Sequence, residues 1–214
     1  MIYDKEPNMN QKNRCILITV AVFIVITAAV FLTGCIKEEK SYDGTNVNED
    51  VIQIKNFNVN SESSDVNTSA KGTIFVKGAG EVPEYVQIVA RIEIDPDDWG
   101  GVSLDIPTGW EISGITSSYP ENDSIAAPAD YVSTWTTTDP DYEWNTRIEV
   151  GRDRGYTQTK GGTGTVVIEL VLVDATILQD TVYLLIAVGS DEKDGTRIVG
   201  TDYVEIPLSF TGSE

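Results

Sequence analysis

The sequence predicts an all-β fold for residues 51–214, an antiparallel β-sandwich of immunoglobulin-like or jelly-roll topology. Short runs in this region alternate apolar and polar residues, which is the period of a half-buried strand. Turn signals rich in Gly, Pro and Asp separate the runs, and no stretch after residue 36 shows a helical period. The length of about 160 residues is enough to bury a substantial apolar core.

The clearest strand signal lies at residues 85–95, where every second residue from Val86 to Ile94 is apolar. Residues 164–174 and 180–190 are apolar on both faces, which predicts strands in the interior of a sheet. Weaker strand patterns occupy residues 51–59, 73–77, 102–107, 110–115, 131–137, 146–150 and 203–210.

Two features qualify this series of strands. The polar residues 60–72 interrupt it and predict either a long surface loop or a continuation of a flexible tether. Pro207 predicts that the last strand lies at a sheet edge, because proline cannot donate to a strand ladder.

The composition excludes several kinds of chemistry. The formal net charge is −19, from 34 acidic and 15 basic residues, so we expect no nucleic-acid partner. The chain has no histidine, which removes Ser-His-Asp and Cys-His catalysis and histidine-ligated metals. No cysteine follows Cys35, so the outer region has neither a disulfide nor a thiol nucleophile.

Residues 15–32 form an uncharged apolar run near the N-terminus. As a helix this run would rise about 27 Å, close to the roughly 30 Å of a bilayer core. Length alone therefore does not separate a signal sequence from a membrane-spanning helix. Lys12 and Arg14 precede the run, so the positive-inside rule predicts a cytoplasmic N-terminus and an exported remainder.

The end of the run, Leu32-Thr33-Gly34-Cys35, resembles the lipobox of prokaryotic lipoproteins. The resemblance implies cleavage before Cys35 and lipid attachment to its sulfur. The alternative is an uncleaved single-span anchor, and both place the outer region at the cell membrane, facing away from the cytoplasm. We therefore expect a signal or anchor segment at 1–35, a flexible polar tether at 36–50 and a β-sandwich domain at 51–214.

The aromatic residues give the strongest indication of a binding site. All four tryptophans, Trp99, Trp110, Trp135 and Trp144, fall between residues 99 and 156. Aromatic rings beside polar and acidic side chains suit the C–H face and the hydroxyls of a sugar, so these four are candidate ligand-binding residues. The alternative is that Trp110, Trp135 and Trp144 fill the core. Trp99, beside Gly100-Gly101, is expected to be the most exposed.

Clusters of acidic residues suggest a weak calcium site. Asp95, Asp97 and Asp98 could supply oxygen ligands, although their spacing does not match an EF-hand, and we expect no other cofactor. Similar clusters occur at 139–141 and 191–194. A carboxylate-dependent glycosidase, pairing Asp95 or Asp97 with Glu143, is a remote alternative.

The sequence thus predicts a membrane-anchored, extracytoplasmic β-sandwich with a non-catalytic binding, adhesion or envelope-structural role. Its expected partners are the membrane and a protein or glycan of the cell envelope. The alternative is a carbohydrate-binding module that uses the aromatic residues of 99–156. Fold analogy alone does not decide between these functions.

Overall fold

The computed structural model describes residues 50–79, 82–121, 130–173 and 181–209. These residues form ten β-strands in the compact unit Asn48–Glu214. The strands are β1 (Val51–Asn60), β2 (Ser69–Ala79), β3 (Val82–Ile94), β4 (Val102–Pro107), β5 (Trp110–Ser117), β6 (Val132–Thr136), β7 (Trp144–Val150), β8 (Gly162–Leu172), β9 (Thr181–Lys193) and β10 (Thr196–Ser209).

The strands form two five-stranded antiparallel sheets. The first sheet has the order β1-β2-β3-β8-β5, and the second has the order β10-β9-β4-β7-β6. The described residues contain no helix. The all-β prediction is therefore confirmed, and the two sheets are consistent with a β-sandwich.

Alternation within each strand builds the core between the sheets. In β3 the apolar residues Ile88, Ile92 and Ile94 are buried, while Arg91 and Glu93 between them are exposed. Leu104 and Ile106 of β4 and the facing residues of β9 do the same from the second sheet. Together these residues form one continuous apolar cluster. Burial of such side chains at about 25 cal/mol per Å² of apolar surface is the main force that holds the sheets together.

Several local predictions can be compared with these strands. Every predicted strand is present, and β10 with Pro207 is an edge strand as expected. The polar stretch 60–72 is not a continuation of a tether, because β1 before it pairs with β2 from Asn60↔Ser69 onwards. β8 lies inside the first sheet, and its outer-face residues Val167 and Val171 are half-buried, so that face is only partly covered.

The predictions for the N-terminal segment concern residues outside the described ranges. These include the apolar run 15–32, the lipobox with Cys35 and the tether. Within the described ranges there is no helix with the length and apolar character needed to cross a membrane.

Candidate functional site

Asp98 is the centre of a buried hydrogen-bond network at one end of the sandwich. Its side chain has no exposed surface, and it lies in the connection between β3 and β4. Its carboxylate accepts hydrogen bonds from the Thr68 hydroxyl at 2.5 Å, from the Gly100 N–H at 2.8 Å and from the Ser190 hydroxyl. A buried carboxylate needs such donors, because an unpaired one would be strongly destabilised. Asp98 thus joins three parts of the chain: Thr68 just before β2, Gly100 just before β4, and Ser190 near the end of β9.

The loop of residues 151–161, which connects β7 to β8, is attached to the same turn. The Asp153 N–H donates to the Trp99 carbonyl at 2.9 Å. Near the other end of the loop, the Thr159 hydroxyl donates to the Asp98 carbonyl at 3.3 Å. Both ends of the loop are therefore fixed against the Asp98–Trp99 turn.

Two residues of this loop have left-handed backbone conformations. Tyr156 has a φ of 61° and Lys160 a φ of 69°. For residues other than glycine this conformation costs on the order of 1–3 kcal/mol, and such strain is concentrated at binding and catalytic sites. Asp194 also has a positive φ, but it forms an Asp-Gly hairpin turn with Gly195, where this conformation is the usual one.

Trp99 and Tyr156 form the aromatic part of an open cleft beside this turn. Their rings meet edge to face, with centroids 4.9 Å apart. The Arg197 guanidinium stacks on the Tyr156 ring at 4.5 Å. The cleft has a volume of about 840 Å³, which is within the range of small-molecule sites. Its lining is completed by Pro96, Asp97, Thr157, Gln158, Lys160 and Glu192.

The charges of the cleft are balanced, although the chain as a whole is strongly acidic. Asp97 and Glu192 supply two carboxylates, and Lys160 and Arg197 supply two cations. Arg197 and Glu192 lie 3.8 Å apart, a loose and exposed pair whose contribution to stability is small. The lining offers both donors and acceptors of hydrogen bonds and has no Leu, Ile or Val side chain.

The structure separates the four tryptophans. Trp110 is fully buried in the core, so its ring presents no surface to a ligand. Trp135 is 43% exposed, whereas Trp99 is half-buried and therefore less exposed. This corrects the expectation that Trp99 would be the most exposed. The Arg154 guanidinium covers the Trp135 ring at 3.5 Å, and Arg147 stacks on the half-buried Trp144 at 4.6 Å. Only Trp99 among them lines one of the described cavities.

A second buried carboxylate, Glu149 of β7, holds the start of the 151–161 loop. Glu149 is 1% exposed and accepts hydrogen bonds from Arg152 and, at 2.9 Å, from Arg154 Nη2. Buried ion pairs of this kind rarely add much net stability, but removing one partner is costly. Glu149 therefore fixes the loop at Arg154, two residues before Tyr156. Sequence reasoning did not identify it, because a single Glu in a strand carries no local signal.

The acidic cluster that suggested a calcium site has other partners. The Asp95 carboxylate accepts hydrogen bonds from the backbone N–H groups of Asp97 and Asn67, both at 2.9 Å. These hydrogen bonds hold the pKa of Asp95 below its usual value. The described residues contain no group of three or more His, Cys, Asp or Glu side chains placed to hold a metal ion. The calcium site stays a prediction without support from the geometry.

The proposed glycosidase pairs are not supported by the geometry. Asp97 lines the aromatic cleft before β4, whereas Glu143 lines a separate cavity of about 320 Å³ beside Thr108, just after β4. The six residues of β4 alone span about 20 Å, whereas paired carboxyl groups in glycosidases are about 5–9.5 Å apart. Asp97 and Glu143 are therefore not placed as a glycosidase pair in this structure. Asp95 is two residues from Asp97 and is occupied by backbone donors.

The comparisons with known proteins add no assignment. No protein-family model matches the chain, and no curated protein or solved structure is significantly similar to it.

Proposed function

We propose that this chain is a membrane-anchored, extracytoplasmic binding module without catalytic activity, serving adhesion or recognition at the cell envelope. The observation that carries this proposal is the preformed cleft of Trp99 and Tyr156. Two buried carboxylates, Asp98 and Glu149, hold the backbone around it. A rigid aromatic site on a sheet scaffold loses little conformational entropy when it binds a ligand.

The strand order supports an immunoglobulin-like topology. Counted from β2, the first sheet has the order β2-β3-β8-β5 and the second begins β10-β9-β4. This arrangement corresponds to the A-B-E-D and G-F-C sheets of a constant-type immunoglobulin domain. In this comparison β1 is an addition beside β2, and the β6–β7 pair is an addition beside β4. Domains of this architecture commonly bind through their surfaces and loops, although the fold does not fix the function.

The lipobox resemblance supports anchoring through Cys35. The test compares the full chain with its Cys35→Ala variant, expressed in a prokaryotic host. We expect the wild-type chain to begin at Cys35, to carry added lipid mass and to fractionate with membranes. The variant should lack the lipid mass. Equal lipid mass in both proteins would contradict the lipoprotein assignment, and full membrane retention of an unlipidated wild type would identify an uncleaved anchor instead.

The binding role is tested by photo-cross-linking in whole cells. The photoreactive residue p-benzoyl-phenylalanine replaces Tyr156 in one protein and Tyr203 in a matched control. Tyr203 is also exposed, at 62% against 47% for Tyr156, and lies on β10 outside the cleft. We expect adducts with envelope material at position 156 and not at 203. The same adducts at both positions, or none at 156, would contradict a binding role for the cleft.

A further inference from the structure

From the cleft we infer the class of ligand: an uncharged saccharide, held through a pyranose ring against Trp99 and Tyr156. This inference rests on the proposed function and names the ligand of the same site. The lining of the cleft combines apolar and polar groups. Aromatic rings are combined with carboxylate, amide, hydroxyl and ammonium groups, and the lining has no Leu, Ile or Val side chain to form an apolar peptide pocket. A pyranose has this mixed character, with an apolar C–H face and a rim of hydroxyls.

The cleft also has side chains whose hydrogen-bonding groups are free to meet a ligand. Within the described part of the chain, the side chains of Asp97, Gln158 and Lys160 make no hydrogen bond or ion pair with the protein, yet all three line the cleft. A carboxylate accepts from hydroxyl donors, an ammonium donates to hydroxyl oxygens, and an amide does both. Neighbouring sugar hydroxyls, each a donor and an acceptor, can satisfy all three groups.

The charge of the cleft also bears on the class of ligand. The cleft has two carboxylates and two cations, so it offers no net attraction to an acidic or a basic ligand. The chain around it has a formal charge of −19, which repels polyanions such as uronate polymers. Both facts favour an uncharged saccharide over an acidic one.

The two residues that would meet the ligand have strained backbone conformations. Tyr156 and Lys160 both have positive φ and both line the cleft. Glu149 fixes the chain before them through Arg152 and Arg154, and the Asp98 carbonyl fixes it between them through Thr159. The conformation that places the ring and the ammonium group in the cleft is therefore imposed by the surrounding structure. Strain that is maintained in this way is typical of a ligand-binding loop.

The test is isothermal titration calorimetry on the full chain in detergent micelles. The probes are four uncharged hexasaccharides, namely cellohexaose, mannohexaose, xylohexaose and fully N-acetylated chitohexaose, with hexagalacturonate as the acidic comparison. We expect saturable binding of at least one uncharged probe. Affinity should fall about tenfold or more in Tyr156→Ala and in Asp97→Ala, and stay within about twofold of wild type in the matched control Tyr203→Ala.

Three results would overturn the inference. These are no binding of any uncharged probe, equal affinity in wild type and Tyr156→Ala, or tighter binding of hexagalacturonate. The outcome is separable from that of the proposed function. A protein adduct at position 156 together with no saccharide binding would leave a binding module whose ligand is a protein, whereas absence of both would remove the binding role as well.

Discussion

The carboxylate of Asp98 and the hydroxyl of Thr68 are joined by a buried hydrogen bond of 2.5 Å, although thirty residues separate them in the chain. Thr68 also accepts the Asp95 N–H at 3.1 Å through the same hydroxyl oxygen. This pair thus connects the start of β2 to the turn that carries Trp99. It links the stability of the sandwich to the shape of the cleft.

Replacing Asp98 by Ala should destabilise the domain by about 3–4 kcal/mol, because the buried donors of Thr68, Gly100 and Ser190 would lose their acceptor. Thr68→Val removes only one hydrogen bond with little change of shape, and should cost about 1–2 kcal/mol. Urea denaturation of the full chain in micelles measures both values. A cost below about 1 kcal/mol for Asp98→Ala would show that the network is not a stabilising element.

Glu149→Gln tests the anchoring of the 151–161 loop. The substitution leaves Arg152 and Arg154 without their buried carboxylate, and we expect a loss of about 3 kcal/mol in the free energy of unfolding. It should also release the Arg154 side chain from Trp135, which lies 3.5 Å away, and so change the Trp135 emission. Arg197→Gln, which breaks a loose exposed pair, is the control and should cost less than about 1 kcal/mol. Equal losses of stability in the two variants would contradict the role of Glu149 in anchoring the 151–161 loop.

Asp95 should make the free energy of unfolding depend on pH in the acidic range. Hydrogen bonds from the backbone N–H groups of Asp97 and Asn67 hold its pKa below the ordinary value in the folded state. A lowered folded pKa means that the unfolded chain binds a proton more readily, so this stabilisation is complete above about pH 4 and is lost as the pH falls through the folded pKa.

The matching measurement is the stability difference between wild type and Asp95→Asn at pH 7 and at pH 3. We expect the difference to shrink at pH 3, because the Asp95 carboxyl of the unfolded chain, with an ordinary pKa of about 3.9, is then mostly protonated. Asp65→Asn, at an exposed residue of the 61–68 loop, is the control and should change little at either pH. A difference that stays constant with pH would mean that the Asp95 charge is not what the backbone donors stabilise.

The four tryptophans should differ in their access to acrylamide. In variants that keep one tryptophan and replace the others by Phe, Trp110 should emit furthest to the blue and resist quenching, because it is fully buried. Trp135 should be quenched most, and Trp99 should be intermediate. Addition of a bound hexasaccharide should protect Trp99 alone. Quenching of Trp110 comparable to that of Trp135 would contradict the packing of the core.

The sequence by itself determined the strands of this protein and part of their arrangement. Alternation of apolar and polar residues is a local property, so all ten strands and the inward face of β3 followed from neighbouring residues. The edge position of β10 followed from the chemistry of Pro207.

Only the tertiary structure decided which residues form the site. The bond from Ser190 to Asp98 joins residues ninety-two positions apart, and Arg197 of the β9–β10 hairpin reaches Tyr156 in the 151–161 loop. Such partners depend on which strands cross between the sheets, and no local period encodes that choice. For the same reason, four tryptophans that look alike in sequence became one core ring, two rings stacked with arginine and one ring in an open cleft.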